Sequence, residues 1–302
     1  MFKMSTFSRF SFAAIKFGTK SLVSLKSCRG VATLRTLNIS SDRKIAYRKY
    51  EGTKQPTIIF VPGFMSNMEG SNAQVIERYC REQDYSFVRF DLEGLGLSQG
   101  DKRVVEMNHW IQDCQFVLDQ LTSGPVLLVG YSLGSWISLI TAINNPKKIH
   151  SLVLISPSVN FVWSYFLVAY NQATPEGKAR LDAGKVYKFT SDYLEMFMRK
   201  DFAEGSRKHE IDLTKEIPIK VPVRILQGMK DLTVPYTMCI KIAEQLASDD
   251  VDIVMRKQEV RGFSDPEDLE LLFMVLTQLL KSHPIPRYRK QDLSYEILKA
   301  SR

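Results

Sequence analysis

The chain has 302 residues, 44% hydrophobic and 25% charged, with only 16 glycines and 12 prolines, so it can bury a full core and is neither fibrous nor disordered. Its net charge of +8 comes from one end: residues 1–41 hold seven basic residues and no acid precedes Asp42, leaving 34 basic against 33 acidic residues in the rest. Such a balance excludes the general basic surface that nucleic-acid binding requires.

Along the chain, the first segment is rich in Ser, Thr, Lys and Arg. At helical spacing, Phe7, Phe10, Ala14 and Phe17 fall on one side and Arg9, Lys16 and Lys20 on the other. That pattern predicts a mitochondrial transit peptide over residues 1–34, removed near Arg29 to Arg35. A secretory signal is excluded because Lys16 and Lys20 interrupt every apolar run. The cysteines, Cys28, Cys80, Cys114 and Cys239, show neither CxxC nor Cys/His ligand spacing, so no disulfide framework and no metal site is expected.

Beyond the leader, β-branched runs predict strands over residues 43–50, 57–61, 86–90, 126–130, 151–155, 222–226 and 251–256. Helical patterns over residues 72–82, 107–121, 135–144, 236–246 and 266–280 separate most of them. This alternation implies an α/β fold, a mostly parallel sheet with helices on both faces. The first two strands, with no helix between them, are expected to form an antiparallel edge.

The longest apolar region, residues 151–170, is broken by Pro157 and Asn160 and reads as strand, turn and helix rather than a membrane span. About sixty residues then separate Pro157 from Val221, where a crossover needs only about a dozen. Residues 158–219 are therefore expected to form a helical cap over the carboxyl edge of the sheet, the ligand-binding edge of such folds. The core occupies residues 35–157 and 220–281. Phe161, Trp163, Tyr165, Phe166 and Tyr170 are candidate pocket walls or cap-packing residues, and the polar tail, residues 282–302, carries no functional signal.

Two motifs carry chemistry. The run Val126-Leu127-Leu128-Val129-Gly130-Tyr131-Ser132-Leu133-Gly134 is a buried strand entering G-x-S-x-G with a helix pattern after it, the nucleophile elbow. Glycines flank Ser132 because the strand-to-helix turn is tight, and the Leu133 N–H at the helix start can hold an oxyanion. The Phe64 N–H, after Val61-Pro62-Gly63 at the end of another strand, is the expected second oxyanion donor; the alternative is that Pro62-Gly63 simply forms a β-turn. In the second motif, Gly228-Met229-Lys230-Asp231, an acid follows a late strand. Asp231 can orient a histidine or, alternatively, cap the next helix.

These motifs, with Arg89-Phe90-Asp91 leading into Gly94-Leu95-Gly96-Leu97-Ser98 and with Val234-Pro235 after the acid, resemble the α/β-hydrolase superfamily. The chain is similar to the branch of mitochondrial palmitoyl-protein thioesterases and acyl-glucuronide esterases, over roughly residues 44–280. The resemblance implies a Ser nucleophile, an Asp partner, no cofactor, and acyl ester or thioester substrates, S-acylated proteins among them; Asp91 belongs to the family's structural loop. In the family, a catalytic His stands in an Asp-His-Arg run before a Pro-Glu-Asp-Leu helix start. Here Pro266-Glu267-Asp268-Leu269 is present, but an ungapped count back places Arg261 where the His belongs. A guanidinium, with a pKa above about 12, cannot accept the Ser proton.

Of the other histidines, His150 is expected at the opposite edge of the sheet and His283 beyond the last helix. His109, opening a helix on the right edge, and His209, in the cap, remain candidates. Two function classes follow: a serine hydrolase using Ser132, Asp231 and an unlocated base, or an impaired hydrolase fold that binds an acyl ligand or a protein.

Overall fold

The computed structural model describes residues 32–190, 195–259, 263 and 265–285. The leader through Val31, Arg261 and the tail beyond Ile285 lie outside the described residues.

One eight-stranded sheet is built from β1 (Thr33–Asn38), β2 (Lys44–Tyr50), β3 (Lys54–Val61), β4 (Tyr85–Phe90), β5 (Val126–Tyr131), β6 (Ile149–Ile155), β9 (Val223–Gly228) and β10 (Val251–Arg256). Their order is β1-β2-β4-β3-β5-β6-β9-β10. The six strands from β4 to β10 are parallel, and β1 and β2 run antiparallel at one edge. Successive β5 residues face opposite cores: Val126 and Leu128 one, Leu127 and Val129 the other. On the first face lie α2 (Met107–Leu121), α3 (Leu133–Asn144) and α7 (Tyr236–Gln245), anchored by Trp110, Trp136 and Ile242. On the other lie α1 (Ser71–Gln83) and α8 (Pro266–Ser282), anchored by Ile76, Leu272 and Leu276. Because both faces are covered, the central strands are apolar on both sides and read as continuous runs rather than alternating ones.

Three features depart from the sequence reading. Strand β1 begins inside the segment assigned to the leader; its side chains are almost all exposed, so it has no buried face to mark it in the sequence. The first two predicted strands, β2 and β3, do not pair with each other, because β4 lies between them. The antiparallel edge is β1 with β2. The insertion between β6 and β9 is not purely helical: α4 (Phe161–Gln172), α5 (Pro175–Asp182) and α6 (Lys200–Ser206) are joined by a hairpin of β7 (Tyr187–Thr190) and β8 (Glu195–Met198). The alternation of Tyr187 and Phe189 with Lys188 and Thr190 was its period-two signal.

Candidate active site

The carboxyl ends of β3, β5, β6 and β9 meet at one edge of the sheet. Ser132 stands between β5 and α3 with φ 52° and ψ −116°, a strained conformation for a residue with a side chain, as is common at functional sites. Both flanking glycines are required by contact. A Cβ on Gly130 would lie 2.6 Å from the Gly134 carbonyl oxygen, and one on Gly134 would collide with the Val61 carbonyl. The elbow is held from β6 as well, since the Ser132 N–H donates to the Ile155 carbonyl at 2.9 Å.

Leu133 is the first residue of α3, so its N–H has no acceptor within the helix. The β3 loop runs directly against Ser132: a Cβ on Gly63 would stand 3.3 Å from Ser132 Cβ. That loop is braced from below. Buried Asp91 accepts the Met68 N–H at 2.6 Å and the Leu97 N–H at 2.7 Å. Buried Arg89 donates to the Met68 carbonyl and pairs with Glu77 at 2.7 Å. Desolvation pushes the Asp91 carboxyl above its ordinary value.

Above the loop, the Phe64 ring lies edge-on to Phe161 of α4, with centroids 5.8 Å apart, and to Trp110 of α2 at 5.9 Å; Phe202 of α6 is tilted against it at 6.3 Å. The insertion therefore rests on the loop that follows β3. Trp136 Nε1 adds a tie by donating to the His209 carbonyl at 3.1 Å. Of the predicted pocket walls, Phe161 reaches this roof and Tyr165 touches Phe161 at 6.3 Å. Trp163 stacks on Phe166 under the Arg207 guanidinium, and Tyr170 continues that stack.

Asp231 follows β9 and is buried. Its Oδ1 accepts the Thr233 and Val234 N–H groups at 2.8 and 3.0 Å, which is turn-capping, while the cap of α7 itself is Pro235. Oδ2 is buried with no hydrogen-bond partner among the described residues. A buried carboxylate oxygen left this way is costly and is the oxygen available to an imidazole N–H.

No imidazole takes that place. Among the described residues, none of the four histidines is hydrogen-bonded to Ser132 or Asp231. His109 pairs with Glu93 at 2.9 Å. His150 lies at the amino end of β6, held by Ser151 and the His283 carbonyl at 2.8 and 2.9 Å, and burial lowers its pKa. His283 pairs with Asp250 at 2.8 Å. His209 ends a 3₁₀ turn in the insertion, its pKa lowered by burial and then by Lys208. Among the described residues cysteine offers no substitute nucleophile, because Cys80, Cys114 and Cys239 are buried; burial pushes the last two up to about 12.

A strand, a strained serine, a helix and a braced second loop form an arrangement with a known pedigree. The sequence matches the α/β hydrolase fold family over residues 56–218. The chain belongs to the α/β-hydrolase family. It is similar to the mitochondrial palmitoyl-protein thioesterase ABHD10 of Bos taurus, 33% identical with 85% of this chain and 83% of that one covered. To the Mus musculus protein of that name it is 32% identical, covering 90% and 95%. The solved structure of mouse α/β hydrolase domain-containing protein 10 superposes with a TM-score of 0.74 at 32% identity, covering 83% of this chain and 99% of that one. A putative hydrolase from Agrobacterium vitis S4 gives 0.73 at 26% identity, covering 82% and 98%.

Sequence reasoning missed Ser158, whose hydroxyl lies 3.1 Å from that of Ser132. It stands three residues beyond β6, with only the turn signal of Pro157 before it, and no motif marks it.

Proposed function

We propose that this α/β hydrolase is a mitochondrial serine thioesterase that cleaves S-acyl substrates through an acyl-enzyme on Ser132. The observation that carries the reading is the elbow itself, a strained Ser132 between β5 and α3 with the Gly63 loop against its Cβ. The relatives' mitochondrial thioesterase names support it. Ser132 Oγ adds to the acyl carbonyl, its proton passes to solvent, and the carbonyl π pair moves onto an oxygen held by the Leu133 and Phe64 N–H groups. Collapse expels the leaving group, and water then releases the acid.

Leaving-group chemistry favours the thioester. None of the four histidines is hydrogen-bonded to Ser132, so no imidazole is placed to protonate the departing atom. A thiolate, whose conjugate acid has a pKa of about 8.5, departs unprotonated near neutral pH; an alkoxide, far more basic, does not. Matched S-acyl and O-acyl substrates of one chain length should therefore differ by at least about 10²-fold in kcat/KM, the low end of a general-acid contribution, read by thiol or acid release. Equal rates would contradict this.

The absence of an imidazole on Asp231 supports a second reading, an impaired hydrolase fold that binds acyl ligands or a protein. No Ser132-dependent turnover of any thioester or ester would favour it.

The leader would be removed on the amino side of Ala32. Ala32 is buried, and its carbonyl accepts from Arg48 Nη1 at 3.2 Å, so cleavage at residue 34 would strip part of β1. Amino-terminal sequencing of protein recovered from mitochondria should begin at or before Ala32. A start within or beyond β1 would contradict this.

A further inference from the structure

We infer that Ser158 is a further catalytic residue, a hydroxyl that donates to Ser132 Oγ as that oxygen gives up its proton to become the nucleophile. The inference rests on the proposed serine chemistry. Ser158 Oγ lies 3.1 Å from Ser132 Oγ, and both residues are almost wholly buried, 3% and 2% exposed. Its position is fixed by the backbone on either side. The Ser158 N–H donates to the Ser132 carbonyl at 3.2 Å, and the Ser156 N–H donates to the Leu226 carbonyl of β9 at 2.9 Å. Ser156 itself is held at φ 45°, so the Ser156-Pro157-Ser158 turn is bent away from β6 and back over the elbow. The nucleophile's main chain is thus tied to Ile155 through its N–H and to Ser158 through its carbonyl.

A hydroxyl is too weak a base to remove the Ser132 proton, so Ser158 does not replace a histidine. As a donor it does something different. Hydrogen bonds to the charged form of a group favour that form, and a donor held in place before charge develops needs no reorganisation when it does. In the resting enzyme the two hydroxyls exchange a neutral hydrogen bond of modest net worth. Toward the transition state the same contact becomes a charge-assisted one, which is stronger, so its effect falls on the chemical step rather than on substrate binding.

The test compares wild type, Ser158→Ala and Ser158→Thr with a palmitoyl thioester and with a fluorophosphonate probe that labels an activated serine. Ser158→Ala should lose about ten-fold or more in kcat and in labelling rate, the low end for one hydrogen bond to a charged group. KM should stay within about two-fold, as expected for an interaction made in the transition state, and the melting temperature should hold. Ser158→Thr, which keeps the hydroxyl, should recover most of the rate. A Ser158→Ala enzyme equal to wild type overturns the inference, as does an equal loss in both variants accompanied by a lowered melting temperature. If wild type itself shows no Ser132-dependent turnover and no label on Ser132, the thioesterase reading fails and this inference falls with it. Labelled, active wild type matched by Ser158→Ala removes the Ser158 role alone.

Discussion

Ser132→Ala should abolish thioester turnover through the acyl-enzyme: in subtilisin, loss of the nucleophile alone costs on the order of 10⁶ in rate. The residue is buried, small and held by main-chain bonds to Ile155 and Ser158. Removing its oxygen therefore leaves a fold that melts at the wild-type temperature. Steady-state kinetics with thiol detection, alongside a thermal melt, check both expectations. Equal rates in the two proteins would move the activity to another site.

Arg261→His should raise turnover by at least about 10²-fold, the low end for general-base catalysis. The residue lies outside the described segment, so the expectation rests on its place in the sequence and on the neighbours that are described. Arg261 follows Glu259 by two residues, and the Glu259 carbonyl accepts the Lys230 N–H at 3.0 Å, one residue from Asp231. Asp231 in turn presents a buried Oδ2 with no partner among the described residues, the acceptor that an imidazole Nδ1–H needs. Neutral histidine could take the Ser132 proton on its other nitrogen, which a guanidinium cannot. The gain should appear in kcat, with a new rise in rate across the histidine titration range near pH 6.5. An unchanged rate in Arg261→His, together with loss on His109→Ala or His209→Ala, would place the base elsewhere.

What could be read from the sequence followed from local constraints. The elbow was legible because two glycines, one strand and one helix must coincide for the turn to form, and the contacts of Gly130 and Gly134 supply the reason. Asp231 was legible from its place after a late strand, although the sequence did not show that its Oδ1 is spent on the Thr233 and Val234 turn. Strand order was not legible for the opening strands. The position of β4 between β2 and β3 is decided by long-range pairing after α1, and no local pattern in residues 43–61 encodes it. β1 escaped because an exposed edge strand buries no periodic face. Ser158 escaped because its approach to Ser132 depends on a bend at Ser156 that brings it back over β5, a proximity between residues 26 apart.

The central claim, that acyl transfer runs through Ser132, is tested most directly by trapping the intermediate. Wild-type protein mixed with a palmitoyl thioester and quenched within the first turnovers should gain the mass of one palmitoyl group less a proton. Peptide mass spectrometry should place that ester on Ser132. Ser132→Ala should gain nothing under the same quench. Rapid thiol release with palmitoyl on any other residue, or with Ser132→Ala acylated to the same extent as wild type, would contradict the account.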